Sequence, residues 1–322
     1  MKIYFAFFIN FTMLLLVSSC TSSSLNFEIP IVPIDNTPAP VLTGRLIYHT
    51  YSCYNCNDSQ LFLYNFSSKE RTNLSQNWAI TNAMNAHFSA DGTTIAFMGI
   101  SQITNSWDIY IYTLGTTAQP QNLTENSLGR DEDPKFSFDG SKIIFKRNGI
   151  LTEMDTSGNN LRNFVVPNTE ASMPYYSSDG NSIIYSGSEP NNSTADIIKY
   201  SITDGTTQSL AAIININEYY PIVIDANSYL FSKSTSSDQV YLGYFDGTLS
   251  QKLPFNESDS DFSDAYPVNS HTVLLSSTRN GGKGEYDLYL ADMITGKKWS
   301  LSIYNKYINS SKNELGACYS PF

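Results

Sequence analysis

Along the 322 residues, apolar positions gather into short runs of three, set between turn residues and polar stretches. Six such runs recur: Leu46-Ile47-Tyr48, Ile95-Ala96-Phe97, Ile143-Ile144-Phe145, Ile183-Ile184-Tyr185, Tyr229-Leu230-Phe231 and Val273-Leu274-Leu275. Their spacings of 49, 48, 40, 46 and 44 residues fall in the range of a propeller or a solenoid. Within each run apolar residues follow one another instead of alternating, which suits a strand covered on both faces. The sheets are therefore expected to stack face to face.

The second copy shows the full unit. It reads Ala86-His87-Phe88-Ser89, a turn at Asp91-Gly92, the apolar run, Asp108-Ile109-Tyr110-Ile111-Tyr112, and Gln121-Asn122-Leu123-Thr124. That is four short strands per copy. Asp-Gly supplies the positive φ of a tight hairpin and returns as Asp139-Gly140 and Asp179-Gly180. Asp225-Ala226-Asn227 and Asn269-Ser270 stand in its place in the fifth and sixth copies. The first copy lacks an opening strand, whereas Glu314 to Pro321 read as an opening strand with no copy after it. The pattern predicts an all-β, six-bladed β-propeller over residues 44–322, closed by the C-terminal strand joining the first blade.

Composition narrows the partners. Nineteen Lys and Arg against 30 Asp and Glu give a net charge of -11, which excludes a free-standing nucleic-acid binder, because phosphate contacts need clustered cations. Residues 1–19 carry one cation, Lys2, then an apolar stretch too short to span a bilayer and remain. Small residues lead directly to Cys20, a pattern that resembles a bacterial lipoprotein signal, and this implies lipidation of Cys20. Residues 20–43, Ser-rich and then Pro-rich, read as a tether. The expected location is the cell envelope, lipid-anchored and periplasmic, with the membrane touched only through lipid and the protein a monomer.

Three phrases carry a resemblance: Ala86-His87-Phe88-Ser89-Ala90-Asp91-Gly92, Pro134-Lys135-Phe136-Ser137-Phe138-Asp139-Gly140 and Pro174-Tyr175-Tyr176-Ser177-Ser178-Asp179-Gly180. They resemble the repeat of the TolB-like propeller family, also called WD40-like or PD40-type. Ser277-Thr278-Arg279-Asn280-Gly281, followed by Asp287-Leu288-Tyr289, resembles it too. The resemblance covers nearly everything after the tether and implies the fold more than an activity.

Counted three residues back from a recurring Pro position, a carboxylate returns as Asp131, Glu218, Asp264 and Glu314, with Glu170 one residue further upstream. On innermost strands these five would either crowd the channel mouth and invite a cation such as Ca²⁺ or a basic partner group, or bond backbone amides and set blade register. Asp108, Asp196 and Asp287, ahead of third strands, read as structural turn partners. Cys53 and Cys56 are expected to form a local disulfide. Zinc between His49, Cys53, Cys56 and Cys318 is the weaker alternative. His87 and His271 lack ligand spacing to a second histidine. The chain has no G-x-S-x-G elbow, P-loop, dinucleotide fingerprint or HExxH. The reading is a non-catalytic binding or scaffold module for an envelope protein, peptide or glycan, without cofactor. Tyr51, Tyr54, Trp78, Trp107, Tyr219, Tyr220 and Tyr266 are its candidate contact aromatics. A metal-assisted carbohydrate lyase or hydrolase is the alternative.

Overall fold

The six apolar runs become the second strands of six four-stranded antiparallel sheets in the computed structural model, which describes residues 37–53, 55–188 and 194–322. Residues 1–19, Cys20, the tether up to residue 36, and Tyr54 lie outside the described residues. The chain divides into Met1–Ala39, of which residues 37–39 are described and are irregular, and Pro40–Phe322.

From inner to outer strand, blade one comprises Asn313–Ser320, Arg45–Tyr51, Gln60–Asn65 and Arg71–Asn73. Blade two is Ile80–Phe88, Thr94–Ser101, Trp107–Thr113 and Gln121–Asn122. Blade three is Asp131–Phe136, Lys142–Arg147, Ile150–Asp155 and Arg162–Phe164. Blade four is Glu170–Tyr176, Ser182–Ser188, Ala195–Ser201 and Thr207–Ala211. Blade five is Asn217–Val223, Ser228–Ser234, Asp238–Tyr244 and Gln251–Lys252, and blade six is Phe262–Pro267, Thr272–Ser277, Asp287–Asp292 and Lys298–Ser300.

Every side chain of the six runs is buried. Alternate members pack toward opposite neighbours: Ile47 joins Ile80 and Phe97 of blade two, while Leu46 and Tyr48 join Leu274 and Leu288 of blade six. Burying one such side chain stabilises by roughly 1.5–3 kcal/mol, so this belt between blades is the main source of cohesion.

The hairpins after the inner strands turn as their residues dictate. Gly92, Gly140 and Gly180 hold φ of 68, 73 and 70°, and Asp91 Oδ1 accepts from Thr93 N at 3.0 Å. Blades five and six build the same hairpin on Asx turns: Asp225 Oδ1 accepts from Asn227 N, and Asn269 Oδ1 from His271 N. These turns define one face of the ring, the turn face. The loops between second and third strands lie on the opposite, loop face.

The C-terminal strand closes the ring. Leu46 pairs with Tyr319, Ile47 with Cys318 and His49 with Leu315. Arg45 Nε donates to the Phe322 carbonyl at 2.8 Å, and Tyr319 OH donates to the Thr43 carbonyl at 2.8 Å.

One feature of the inner strands has no counterpart in the apolar pattern. Each is broken by a bulge, and at each bulge one residue holds a positive φ: Gly316, Asn85, Asp133, Met173, Tyr220 and Asp264, at 52–59°. Blade two carries a second such bulge at Asn82, with φ of 55°; among the described residues every other inner strand has one left-handed residue.

Candidate functional site

The five acids counted from the Pro position are not brought together. Asp131 is buried and receives both Arg147 Nε and Nη2, at 2.7 and 2.9 Å. Glu218 is buried beside Lys233 Nζ at 3.4 Å. Glu314 accepts from Ser310 Oγ at 2.6 Å and from its amide at 3.1 Å. Glu170 is exposed and reaches Lys146 at 3.3 Å. Only Asp264 lines the central cavity.

The reason is register. Asp131, Glu218 and Glu314 stand two residues before their bulges, and each is electrostatically coupled to a third-strand aspartate of the preceding blade: Asp108, Asp196 and Asp287. The two recurring acid series therefore meet at the blade interfaces 2/3, 4/5 and 6/1. Burial raises the Glu218 pKa, and it lifts Glu314 to about 7, with Asp287 adding to the rise and Arg71 opposing it. Asp264 stands three residues before Pro267. Blade six carries Ala265 where blades three, four and five carry Pro134, Pro174 and Pro221, so Asp264 is the equivalent of Asp133 at the bulge.

The bulge residues form the first layer of a cavity of about 60 Å³ on the ring axis, lined by Asn85, Asp133, Met173, Tyr220, Asp264 and Gly316. That is room for about four or five waters. Two residues on, His87, Lys135, Ile222, Tyr266 and Cys318 form a second layer. Asn85 Nδ2 donates to Asp133 Oδ1 at 2.7 Å. Burial raises the Asp133 pKa, with Lys135 pulling it back, and lowers that of Lys135. Burial also takes Asp264 up to about 6.

The remaining groups are committed. His87 Nδ1 accepts from Phe136 N at 3.2 Å, which leaves the Nε2 proton to Tyr175 OH, also at 3.2 Å; burial and then Lys135 hold this imidazole neutral. Burial raises the Cys318 thiol, so it stays protonated and a poor nucleophile. Cys53 and Cys56 are disulfide-bonded to each other, and His49 Nδ1 faces Asn85 N at 3.4 Å, so those two cysteines, His49 and Cys318 form no common site. Toward the turn face the axis opens into a second hollow of about 280 Å³, lined by Phe136, Phe138, Tyr175, Tyr266, Tyr319 and Phe322 among others. Of the candidate aromatics, Trp78 is buried and stacked on Phe97 at 5.0 Å; Tyr220 and Tyr266 line the cavity. Tyr51, Trp107 and Tyr219 are part-buried, with Arg130 lying 5.4 Å from the Trp107 ring.

No family model matches the sequence, and no curated protein matches it. Among solved structures, TolB from Acinetobacter baumannii superposes with a TM-score of 0.67 at 16% identity, over 87% of this chain and 67% of that one. The fold is TolB-like. A Kuenenia stuttgartiensis hydrazine synthase chain matches with a TM-score of 0.70 at 14% identity, over 87% of this chain but 46% of its own length. An oligogalacturonate lyase in complex with manganese matches with a TM-score of 0.52 at 14% identity, over 81% and 74% of the two chains. A TolB-like propeller thus serves as a scaffold for proteins with different activities, and the fold alone does not choose among them. On the axis of this TolB-like ring one lysine, Lys135, sits with two aspartates, Asp133 and Asp264. Among the described residues no helix is long and apolar enough to cross a membrane.

Proposed function

We propose that the protein is a cell-envelope lipoprotein, anchored through Cys20 on the periplasmic side, whose TolB-like propeller is a non-catalytic binding module for a protein, peptide or glycan. The observation that supports this most directly is the contrast between axis and rim. On the axis His87 and Cys318 are tied into internal bonds or held in unreactive states. On the loop face, large aliphatic side chains stand in water at four successive positions: Ile103 in blade two, and Leu128, Val165 and Ile214 in the connections between blades two to five. Loops carried by a rigid sheet scaffold are where binding residues concentrate.

The rival, a metal-assisted carbohydrate lyase, draws support from the manganese-bound lyase that shares the fold. Against it stands Lys135, whose ammonium lies close enough to Asp133 and Asp264 to offset their charge where a dication would need it. The test has two arms. Radiolabelled palmitate should enter the full chain and fail to enter the Cys20→Ala variant, and a photo-crosslinker at position 128 should capture a partner that Val165→Arg weakens. Release of unsaturated ends from oligogalacturonate with added Mn²⁺, abolished by EDTA, would replace the binding reading with the lyase.

A further inference from the structure

The axial cavity holds three charged groups, Asp133, Lys135 and Asp264, and the last two lack a close hydrogen bond. Asp264 is only 8% exposed, yet the hydrogen bonds it accepts, from Gly316 N and Ser263 Oγ, are long, at 3.4 and 3.5 Å. Hydrogen bonds from N–H to oxygen normally span about 2.7–3.2 Å. Lys135 Nζ has the Pro134 carbonyl at 3.4 Å, equally long. A buried carboxylate without a close donor is costly, and here it borders open volume.

The charge count selects the guest. Two carboxylates, Asp133 and Asp264, against one ammonium, Lys135, leave a single negative charge. A divalent cation would meet only two carboxylates and be repelled by Lys135; among the described residues no group of three or more His, Cys, Asp or Glu is arranged for a metal. An anion would have to settle beside two carboxylates. Tyr220 stands near both acids, since their charges contribute to raising its pKa, Asp264 most of all. Its ring belongs to the lining of the same cavity, and aromatic rings attract cations. We propose that the axial cavity is a binding site for an alkylammonium group, the head of a lysine side chain or of a free amine, held by Asp264 and Asp133 beside Tyr220. This site is separate from the loop-face surface and does not depend on it.

The field at the site comes from Asp133, Lys135 and, from blade five, Asp238; neutral His87 and protonated Tyr266 and Cys318 add no charge. Binding needs ionised Asp264, so it should weaken as pH falls below about 6.

Calorimetric titration of the full-length protein with butylammonium chloride and with Nα-acetyl-lysine-N-methylamide tests this. Saturable binding of either probe near pH 7.5, weaker near pH 5, is expected. Binding of the lysine derivative alone assigns the guest to a partner side chain; binding of butylammonium alone assigns it to a free amine. Asp264→Asn, which keeps a residue that tolerates positive φ, should weaken binding about tenfold or more, the worth of a charge-assisted hydrogen bond. Lys135→Met should tighten it, because the repelling charge is gone. Unchanged circular dichroism shows that each variant is folded. No saturable binding to the wild type, or weaker binding in Lys135→Met as in Asp264→Asn, overturns the proposal; the second result would point to an anion or a zwitterion. Leu128→Arg should leave this binding unchanged, so failure of the loop-face reading and failure of this one are separable.

Discussion

Gly316 occupies the one bulge where only glycine fits. Its φ is +59°, and a Cβ there would come within 2.7 Å of the His49 ring and 3.1 Å of Asn85 Oδ1. Gly316→Ala should therefore cost roughly 1–3 kcal/mol, through backbone strain and displacement of a buried imidazole, readable as a lower urea midpoint. Glu314, two residues earlier, gives a pH-dependent prediction. Its pKa is raised from 4.5 to about 7 in the folded protein, chiefly by burial. The folded state favours the protonated acid, so this contribution is full below the free-chain value and is lost as pH rises through about 7. The loss is on the order of 3 kcal/mol. Glu314→Gln should raise the melting temperature relative to wild type near pH 8, with the gain shrinking toward about pH 5. A pH-independent difference would count against the assignment. The bulges show where single residues mislead. Met173 and Tyr220 hold a positive φ that their types rarely adopt, so nothing in their identity announces it. The available signal was the next residue, always Pro or Ala: Pro134, Pro174, Pro221, Ala86, Ala265 and Ala317.

Among the elements, the closing strand is the most consequential. Asn313–Ser320 contributes Cys318 to the apolar cluster shared with blade two and Ala317 to the cluster shared with blade six. Removing residues 313–322 would strip the partner from Arg45–Tyr51 and open both clusters, leaving an unpaired inner edge. The truncated chain should lose its cooperative thermal transition and go to the insoluble fraction; a soluble protein with an unchanged transition would refute this role. This element was legible because its counterpart was missing: a first copy without an opening strand requires one from elsewhere. The hairpins of blades five and six were less so, since Asp225 and Asn269 reach the same geometry through side-chain acceptors instead of glycine. Blade six hid its register for a similar reason. Pro267 lies two residues beyond the small residue that marks the bulge, Ala265, and counting from it groups Asp264 with acids that the fold places at blade interfaces.

For the whole molecule, periodicity carried the architecture and left the site obscure. Six equal copies give six equal positions, and the sequence does not say which of them face the axis. Only the bulges decide that, by turning one residue per blade inward. The acid series at the blade interfaces was visible as two separate recurrences, yet their meeting depends on neighbouring blades and on no local spacing. The chain enters the ring beside its own end: the Gly44 carbonyl accepts from Phe66 N at 3.0 Å, and a Cβ at Gly44 would strike Ser320 and Pro321. Any pull transmitted along the upstream chain consequently arrives at the seam itself. The strands that take up that pull, Arg45–Tyr51 and Asn313–Ser320, are the same pair that closes the ring.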